Sequence, residues 1–309
     1  MGTIDFVAGC FGGAAGVLVG HPFDTLKVRM QGSSAVYKST LECFNSIVKK
    51  ESVKGLYKGV TSPLYSLAAI NAIIFGVQGN LLRRMKNPDA LSSHFMAGAT
   101  AGFLQCGICG PMELAKIKLQ VQGEGLKYGS VKSIDYTGSI ECLRKIYNMA
   151  GFRGVSRGMI ATILREVPAF GTYFLTYEWI CRKMTKDTET ECSTGTLLLS
   201  GGLAGCAAWI ITYPIDVIKT RIQTDGALLQ GRLVYKYSGY LDCIRKSISA
   251  DGYKVFGKGL NATLLRAFPT NAATFAVVAW ILRHMAPSNS SNDRKSAIER
   301  ATSFAQIDG

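Results

Sequence analysis

The chain has 309 residues, 48% of them hydrophobic, and a formal net charge of +14 at pH 7. Its Lys and Arg residues lie in short segments between apolar stretches, without a long basic run or a zinc-finger spacing. That argues against nucleic-acid binding and for a basic face against anionic lipid.

The chain opens with five residues, Met1 to Asp5, that run straight into an apolar stretch. No Arg-rich amphipathic leader precedes it, so any import information is expected to be internal. Six apolar segments then follow, at 6–31, 60–84, 93–121, 159–183, 196–224 and 260–285. Each has the length needed to cross a bilayer. Several carry acids and bases, which are expensive in hydrocarbon unless they face a watery interior. The expected fold is an all-α membrane protein whose polar stripes turn inward.

The odd-numbered segments end alike. Pro22, Asp24, Lys27, Arg29 and Gln31 return as Pro111, Glu113, Lys116, Lys118 and Gln120, and again as Pro214, Asp216, Lys219, Arg221 and Gln223. Three copies divide the chain into repeats at 1–86, 87–186 and 187–286, followed by a polar tail, 287–309, read as disordered. No repeat looks self-sufficient, so the repeats should form one body. Upstream of each proline stand Gly9/Gly13, Gly98/Gly102 and Gly201/Gly205, a small-residue face that lets helices approach closely. The prolines themselves are expected to kink these helices and draw their ends together.

Between the two long segments of each repeat lies a short amphipathic stretch. Leu41, Phe44, Ile47 and Val48 recur at helical spacing, as do Ile140, Leu143, Ile146 and Tyr147, and then Leu241, Ile244 and Ile248. These read as helices lying at the membrane interface. Cys43, Cys142 and Cys243 occupy the same place in each. The chain has nine cysteines in all, an odd count with no compact secreted framework, which favours reduced and buried thiols.

Within each repeated motif the acid, base and glutamine stand at i, i+3 and i+7, on one helix face. Local pairing of acid and base inside each helix is one arrangement, worth a few tenths of a kcal/mol at roughly 0.2–0.5 per pair. Three related copies also allow a ring in which the charges meet between repeats.

Together these features resemble the mitochondrial carrier family, over residues 4 to about 285. The resemblance implies six transmembrane helices in three pseudo-symmetric repeats around a central cavity, with three short matrix-side helices and both termini in the intermembrane space. It implies that Asp24 pairs with Lys116, Glu113 with Lys219 and Asp216 with Lys27, as a gate on the matrix side braced by Gln31, Gln120 and Gln223. The opposite gate fits less well. Tyr177 and Glu178 match its pattern, but Arg182 comes one residue late, and Phe75-Gly76 and Phe275-Ala276 lack the acid. A weak cytoplasmic gate is expected, permitting one-way transport as well as exchange. Cardiolipin is expected near Gly59, Gly138, Gly158, Gly239 and Gly259, although several of these sites lack part of the family's aromatic pattern. Backbone amides at helix N-termini suit phosphate in any case.

Seven residues past Gly59, Gly158 and Gly259 stand Ser66, Arg165 and Arg266, about 10 Å further along each helix. The family binds substrates at that level. Arg165-Glu166 resembles the signature of its amino-acid carriers: a guanidinium for a carboxylate and a carboxylate for an amino group. A self-satisfied Arg165–Glu166 pair and a packing role for Arg266 are the plainer readings. The runs at 8–24, 70–80, 111–116 and 265–269 resemble the branch that carries arginine, lysine, ornithine and histidine, which adds Asn71 to the expected substrate contacts. A carnitine or acylcarnitine carrier is the nearest alternative, and a proton-leak or scaffold membrane protein is one of another class. No phosphate-binding glycine loop, metal-ligand cluster or nucleophile motif is visible, and His21, His94 and His284 are scattered. Neither enzyme activity, a metal nor a cofactor is expected. The expectation is a monomer of the mitochondrial inner membrane.

Overall fold

The six apolar segments become six long helices, joined by shorter elements. In chain order these are α1 (Thr3–Gln31), α2 (Thr40–Glu51), α3 (Thr61–Arg84), α4 (Leu91–Val121), α5 (Ser139–Val155), α6 (Met159–Thr185) and α7 (Thr194–Thr224). After them come strands β1 (Ala227–Leu229) and β2 (Arg232–Val234), then α8 (Tyr240–Asp251) and α9 (Leu260–Met285). The computed structural model describes residues 3–32, 37, 39–122, 135–185, 194–229 and 232–285. The expected tail at 287–309 lies outside the described residues, as do the side chains of Asn71, Phe75 and Phe275.

The fold is all-α, as expected, with one short hairpin added to it. β1 and β2 pair antiparallel, with Leu228 opposite Leu233, in the connection between α7 and α8.

By hydropathy, two stretches are long and apolar enough to cross a membrane, Val53–Arg84 and Ser200–Thr224. Among the described residues these two alone pass on composition as well as length. Glycines, hydroxyls and charges dilute the other long helices, as Arg165, Glu166 and Glu178 do in α6. Those groups have a place to go. α3 packs on α4, α4 on α6, α6 on α7 and α9 on α1. All six long helices contribute to the lining of one central cavity.

Small residues set how closely the helices approach. In the second repeat a Cβ on Gly98 would lie 2.6 Å from the Phe170 carbonyl, and one on Gly102 would lie 3.0 Å from that of Glu166. In the first repeat the face differs from the expected one. Gly12, Gly16 and Gly20 meet Thr274 and Thr270 of α9, while Gly13 meets Leu67. Gly205 has open space beside it and lines the cavity.

Each short helix docks one edge against the end of the odd-numbered long helix in its own repeat. Cys43 and Ile47 pack with Leu26, Cys142 and Ile146 with Leu114, and Cys243 with Ile218 and Ile222. All three cysteines are fully buried. Burial pushes the Cys142 thiol up to about 12 and the Cys243 thiol up to about 11, so both stay protonated and inert. The start of each apolar stretch points the other way: Leu41, Ile140 and Leu241 are 74%, 68% and 80% exposed. These helices therefore carry a second apolar edge that the protein itself does not cover.

Three glycines turn the chain into the even-numbered long helices. Gly59, Gly158 and Gly259 have φ of +82°, +85° and +84°, the left-handed region that favours glycine. Each also sits beneath an odd helix of another repeat. A Cβ on Gly59 would lie 2.9 Å from the Lys116 carbonyl, and one on Gly158 would lie 2.7 Å from Gln223.

Candidate functional site

The cavity holds about 240 Å³ of water-accessible space. Its charged lining is Lys27, Lys116, Arg165, Lys219 and Arg266 against Asp24, Glu113, Glu166 and Asp216, one positive charge in excess. Helical spacing puts each acid and base of the repeated motif on the face turned inward.

At one end the three odd helices meet. Lys116 Nζ lies 2.6 Å from Asp24 Oδ2, Lys27 Nζ lies 2.8 Å from Asp216 Oδ2, and Lys219 pairs with Glu113. The charges thus pair between repeats rather than along each helix. The glutamines are fully buried just beyond. Gln31 donates to the Tyr213 hydroxyl at 3.1 Å and reaches Asp216 at 3.5 Å. Gln120 donates instead to Thr25 at 3.2 Å, and Gln223 to Thr162 at 3.5 Å. Only the first of the three touches an ion-pair carboxylate directly among these bonds.

A second set of links starts two residues beyond each ion-pair base, and the sequence reading gave it no role. Arg29 donates to the Gln120 carbonyl at 2.8 Å, Lys118 to that of Thr224 at 3.3 Å, and Arg221 to that of Gln31 at 3.2 Å. Every seam between odd helices therefore carries an ion pair and a bond from a base to a helix-terminal carbonyl. Carboxylates hold two of these bases from behind. Arg29 is bidentate on Glu51, at 2.7 and 2.9 Å, and Arg221 pairs with Asp251. Lys58 and Lys258 complete these clusters. The second repeat has Ala150 at that position. There Arg157 crosses to Asp225 of the third repeat at 3.0 Å and lies over the Tyr235 ring.

Deeper in the cavity, the structure brings Arg165, Glu166 and Arg266 together with these charges. Arg165 touches Glu166, lies 3.3 Å from Glu113 and reaches Asp216 at 3.8 Å. Glu166 also faces Lys219 at 3.7 Å and Gln105 at 3.4 Å. Arg266 lies 2.9 Å from Asp24 Oδ1. Ser66 lines the cavity, but its hydroxyl is directed back to the Ser62 and Pro63 carbonyls.

Trp209 is a cavity residue the sequence reading missed. Its ring has Lys27 4.3 Å from its centroid and the Arg165 and Arg266 guanidinium carbons at 5.5 and 5.9 Å, within cation–π range. The available signal was a lone tryptophan five residues before Pro214, where Val17 and Cys106 stand in the other repeats. The fold also places Cys109, Glu113 and Glu166 with ligand atoms within 4.8 Å of one another, a grouping no sequence spacing revealed. Lys219 and Arg165 already face both carboxylates, which opposes an added cation.

Towards the other end, Glu178 pairs with Arg182 of its own helix at 2.7 Å, and Tyr177 stacks on Tyr173. The basic residue at the unexpected position is thus spent locally. Gly138 and Gly239 are the N-cap residues of α5 and α8, in extended conformation, and a Cβ at either would meet only open space.

The family model "Mitochondrial carrier protein" matches three consecutive stretches of this chain, residues 3–89, 87–188 and 190–289. The chain is 52% identical over 285 residues to the "Mitochondrial basic amino acids transporter" of Homo sapiens, covering 91% of this chain and 90% of that protein. The same-named protein of Rattus norvegicus is 50% identical over 306 residues, covering 98% and 96%. "Solute carrier family 25 member 45" of Mus musculus is 41% identical over 288 residues, covering 90% and 98%.

Proposed function

Because this chain belongs to the mitochondrial carrier family, we propose that it carries basic amino acids, namely arginine, lysine, ornithine and histidine, across the mitochondrial inner membrane by alternating access. The relatives named as basic amino acid transporters, at about half identity over nearly the whole chain, support this substrate class. The six long helices span the membrane in this reading, and α2, α5 and α8 lie at its matrix face. It is a transporter, with no chemical step to catalyse.

The observation that carries the reading is one cavity presenting Glu166 beside Arg165, with Arg266 on the facing helix, above three cross-repeat ion pairs. A guanidinium binds an α-carboxylate in a planar, bidentate way, and a buried carboxylate binds an ammonium or guanidinium. Arg165 and Arg266 receive the carboxylate, Glu166 receives the cation, and Ser66 and Asn71 complete the contact set. The ion pairs Asp24–Lys116, Glu113–Lys219 and Asp216–Lys27 are the matrix gate, and the structure is then the form open to the cytoplasm. Gln31, Gln120 and Gln223 brace this gate, and Tyr177 with Glu178 is the remnant of the cytoplasmic one. Cardiolipin binds around Gly59, Gly138, Gly158, Gly239 and Gly259, and the carrier works as a monomer.

Purified protein in cardiolipin-containing liposomes tests the reading. Labelled arginine and lysine should enter vesicles preloaded with arginine, and labelled carnitine should not. Carnitine uptake without arginine uptake would establish the second reading, a carnitine-type carrier. Trp209 favours that one, since an aromatic face suits a quaternary ammonium. Uptake of neither in a folded protein would leave a leak or scaffold role.

A further inference from the structure

The clusters behind the ring of ion pairs are not alike in the three repeats. In the first and third, acid and base belong to the same repeat: Glu51 pairs with Lys58 and Asp251 with Lys258, each seven residues on. Lys58 also reaches the Gln122 carbonyl of the second repeat at 3.0 Å, but its carboxylate stays at home. The second repeat has Ala150 seven residues before Arg157, so this base finds no acid at that place. Its acid comes from the third repeat. Arg157 donates to Asp225 Oδ2 at 3.0 Å and to the Tyr237 carbonyl at 2.8 Å, and its guanidinium lies 3.5 Å from the Tyr235 ring centroid. Asp225 is buried and fixed from its own side: the Lys236 amide donates to Oδ1 at 3.0 Å and the Tyr237 amide to Oδ2 at 2.9 Å. Two residues past the motif glutamine, where the third repeat has Asp225, the other repeats have Ser33 and Gln122, which carry no charge.

An ion pair inside one repeat travels with it and survives when repeats separate. Arg157–Asp225 spans two repeats. Parting them strands a buried carboxylate and lifts the guanidinium from an aromatic face, and both changes are unfavourable. On the reading of this protein as an alternating-access carrier of basic amino acids, whose closed end must open, we infer that Arg157 and Asp225 form a latch between the second and third repeats, and that its release limits the rate of exchange. Neither residue lines the cavity, so the latch acts on the motion and not on substrate binding. The threefold pattern is broken at Ala150 and Asp225 together, and the two departures compensate each other: one removes the acid from its own repeat and the other supplies it from across the seam.

The acid can be moved without changing the net charge. Ala150→Glu combined with Asp225→Asn gives the second repeat the arrangement of the other two and removes the charge across the seam. Full-length protein in liposomes preloaded with arginine is compared with the double variant for labelled-arginine uptake over a range of concentrations. The maximal exchange rate should rise about three- to tenfold, the scale of one net hydrogen bond, with the KM for arginine changed by less than about twofold. A pair that only holds the fold together would instead leave the rate equal or lower and lower the unfolding temperature. An equal or lower maximal rate in the folded double variant, or a change confined to KM, overturns this inference and leaves the proposed function standing. If the wild-type protein carries no arginine, the proposed function fails and this inference with it. Should the double variant not fold, Arg157→Lys decides. The ammonium keeps the charge but gives up the planar fork and the stacking on Tyr235, so the maximal rate should rise by about twofold or more. An unchanged or lower rate there overturns the latch.

Discussion

Lys27 and Asp216 stand 2.8 Å apart and tie the first repeat to the third, closing the ring that Asp24–Lys116 and Glu113–Lys219 leave open. Both residues are largely buried, so removing one partner strands the other, at a cost of about 3–5 kcal/mol. Asp216→Lys should reduce arginine exchange at least tenfold, and adding Lys27→Asp should restore a measurable part of it. Losses that simply add in the double variant would show that the two do not act as a pair.

Glu166 is 3% exposed and is the cavity acid that does not belong to the repeated motif. Glu166→Gln keeps the shape and removes the charge. Uptake of lysine and arginine should fall by roughly 10- to 100-fold, the size of a lost charge-assisted bond, while the protein still folds. Near-normal lysine uptake would place the cation's partner elsewhere.

At the cavity's other end, the ion pair among the described residues is a local one. Glu178 is paired within its own helix, and Gly76 and Ala276 stand where acids are expected. An empty carrier should therefore reorient, and arginine should accumulate in liposomes that contain none, more slowly than by exchange. Absence of uptake into empty vesicles, with normal exchange in loaded ones, would show that the outer end closes firmly by other means.

Ser52 has φ 63° and ψ 178°, a conformation that Gly151 and Gly252 adopt at the equivalent turns. That region is nearly confined to glycine and costs a side chain of order 1–3 kcal/mol. Ser52→Gly should raise the thermal unfolding temperature in detergent, by the equivalent of roughly 1 kcal/mol after the greater freedom of the unfolded glycine is subtracted. A lower unfolding temperature would mean that the serine hydroxyl contributes something the backbone geometry does not show.

Acid should loosen the clusters around Glu51 and Asp251. Burial alone would raise the Glu51 carboxyl, but the hydrogen bonds from Arg29 and Lys58 outweigh it and hold it below its ordinary 4.5. Asp251 is held below 3.8 in the same way by Arg221 and Lys258. For a carboxyl depressed in the folded state, the stabilisation is present above the unfolded pKa and is lost as pH falls through the folded one. Thermal stability should be level above about pH 5 and decline below it as these two carboxyls protonate. Glu51→Gln should lower stability at pH 7 and flatten the acid decline. An acid limb unchanged in that variant would assign the decline to other groups.

The acids and bases of the three ion pairs were legible because they are side chains of fixed type at fixed spacing, repeated three times, while their pairing between repeats came from the family resemblance, since the spacing equally allowed pairing within each helix. The links from Arg29, Lys118 and Arg221 stayed hidden although those bases repeat just as strictly. Their acceptors are main-chain carbonyls, which every residue has and no pattern marks. Trp209 was overlooked because it is unique to one repeat, and a search for symmetry passes over what occurs once. The glycines of α1 show a third limit. With Gly9, Gly12, Gly13, Gly16 and Gly20 all present, only the rotation of the helix decides that Gly12, Gly16 and Gly20 meet α9. Arg165, Glu166 and Arg266 were found by counting from the left-handed glycines, which works because an uninterrupted helix converts a residue count into a depth.

The doubled seams between the odd helices bear on leakage. Three helix ends that touch one another leave no passage on their common axis, and prising open one side of such a triangle only lets the third end move into the gap. A solute-sized opening exists only once all three sides have parted. A variant that has lost a single ion pair should therefore be slow rather than leaky, since two intact sides, and the carbonyl link on the third, still block the way. If the ring is the proposed gate, the barrier to solutes is in this sense a property of the trio, protected against failure at any one member.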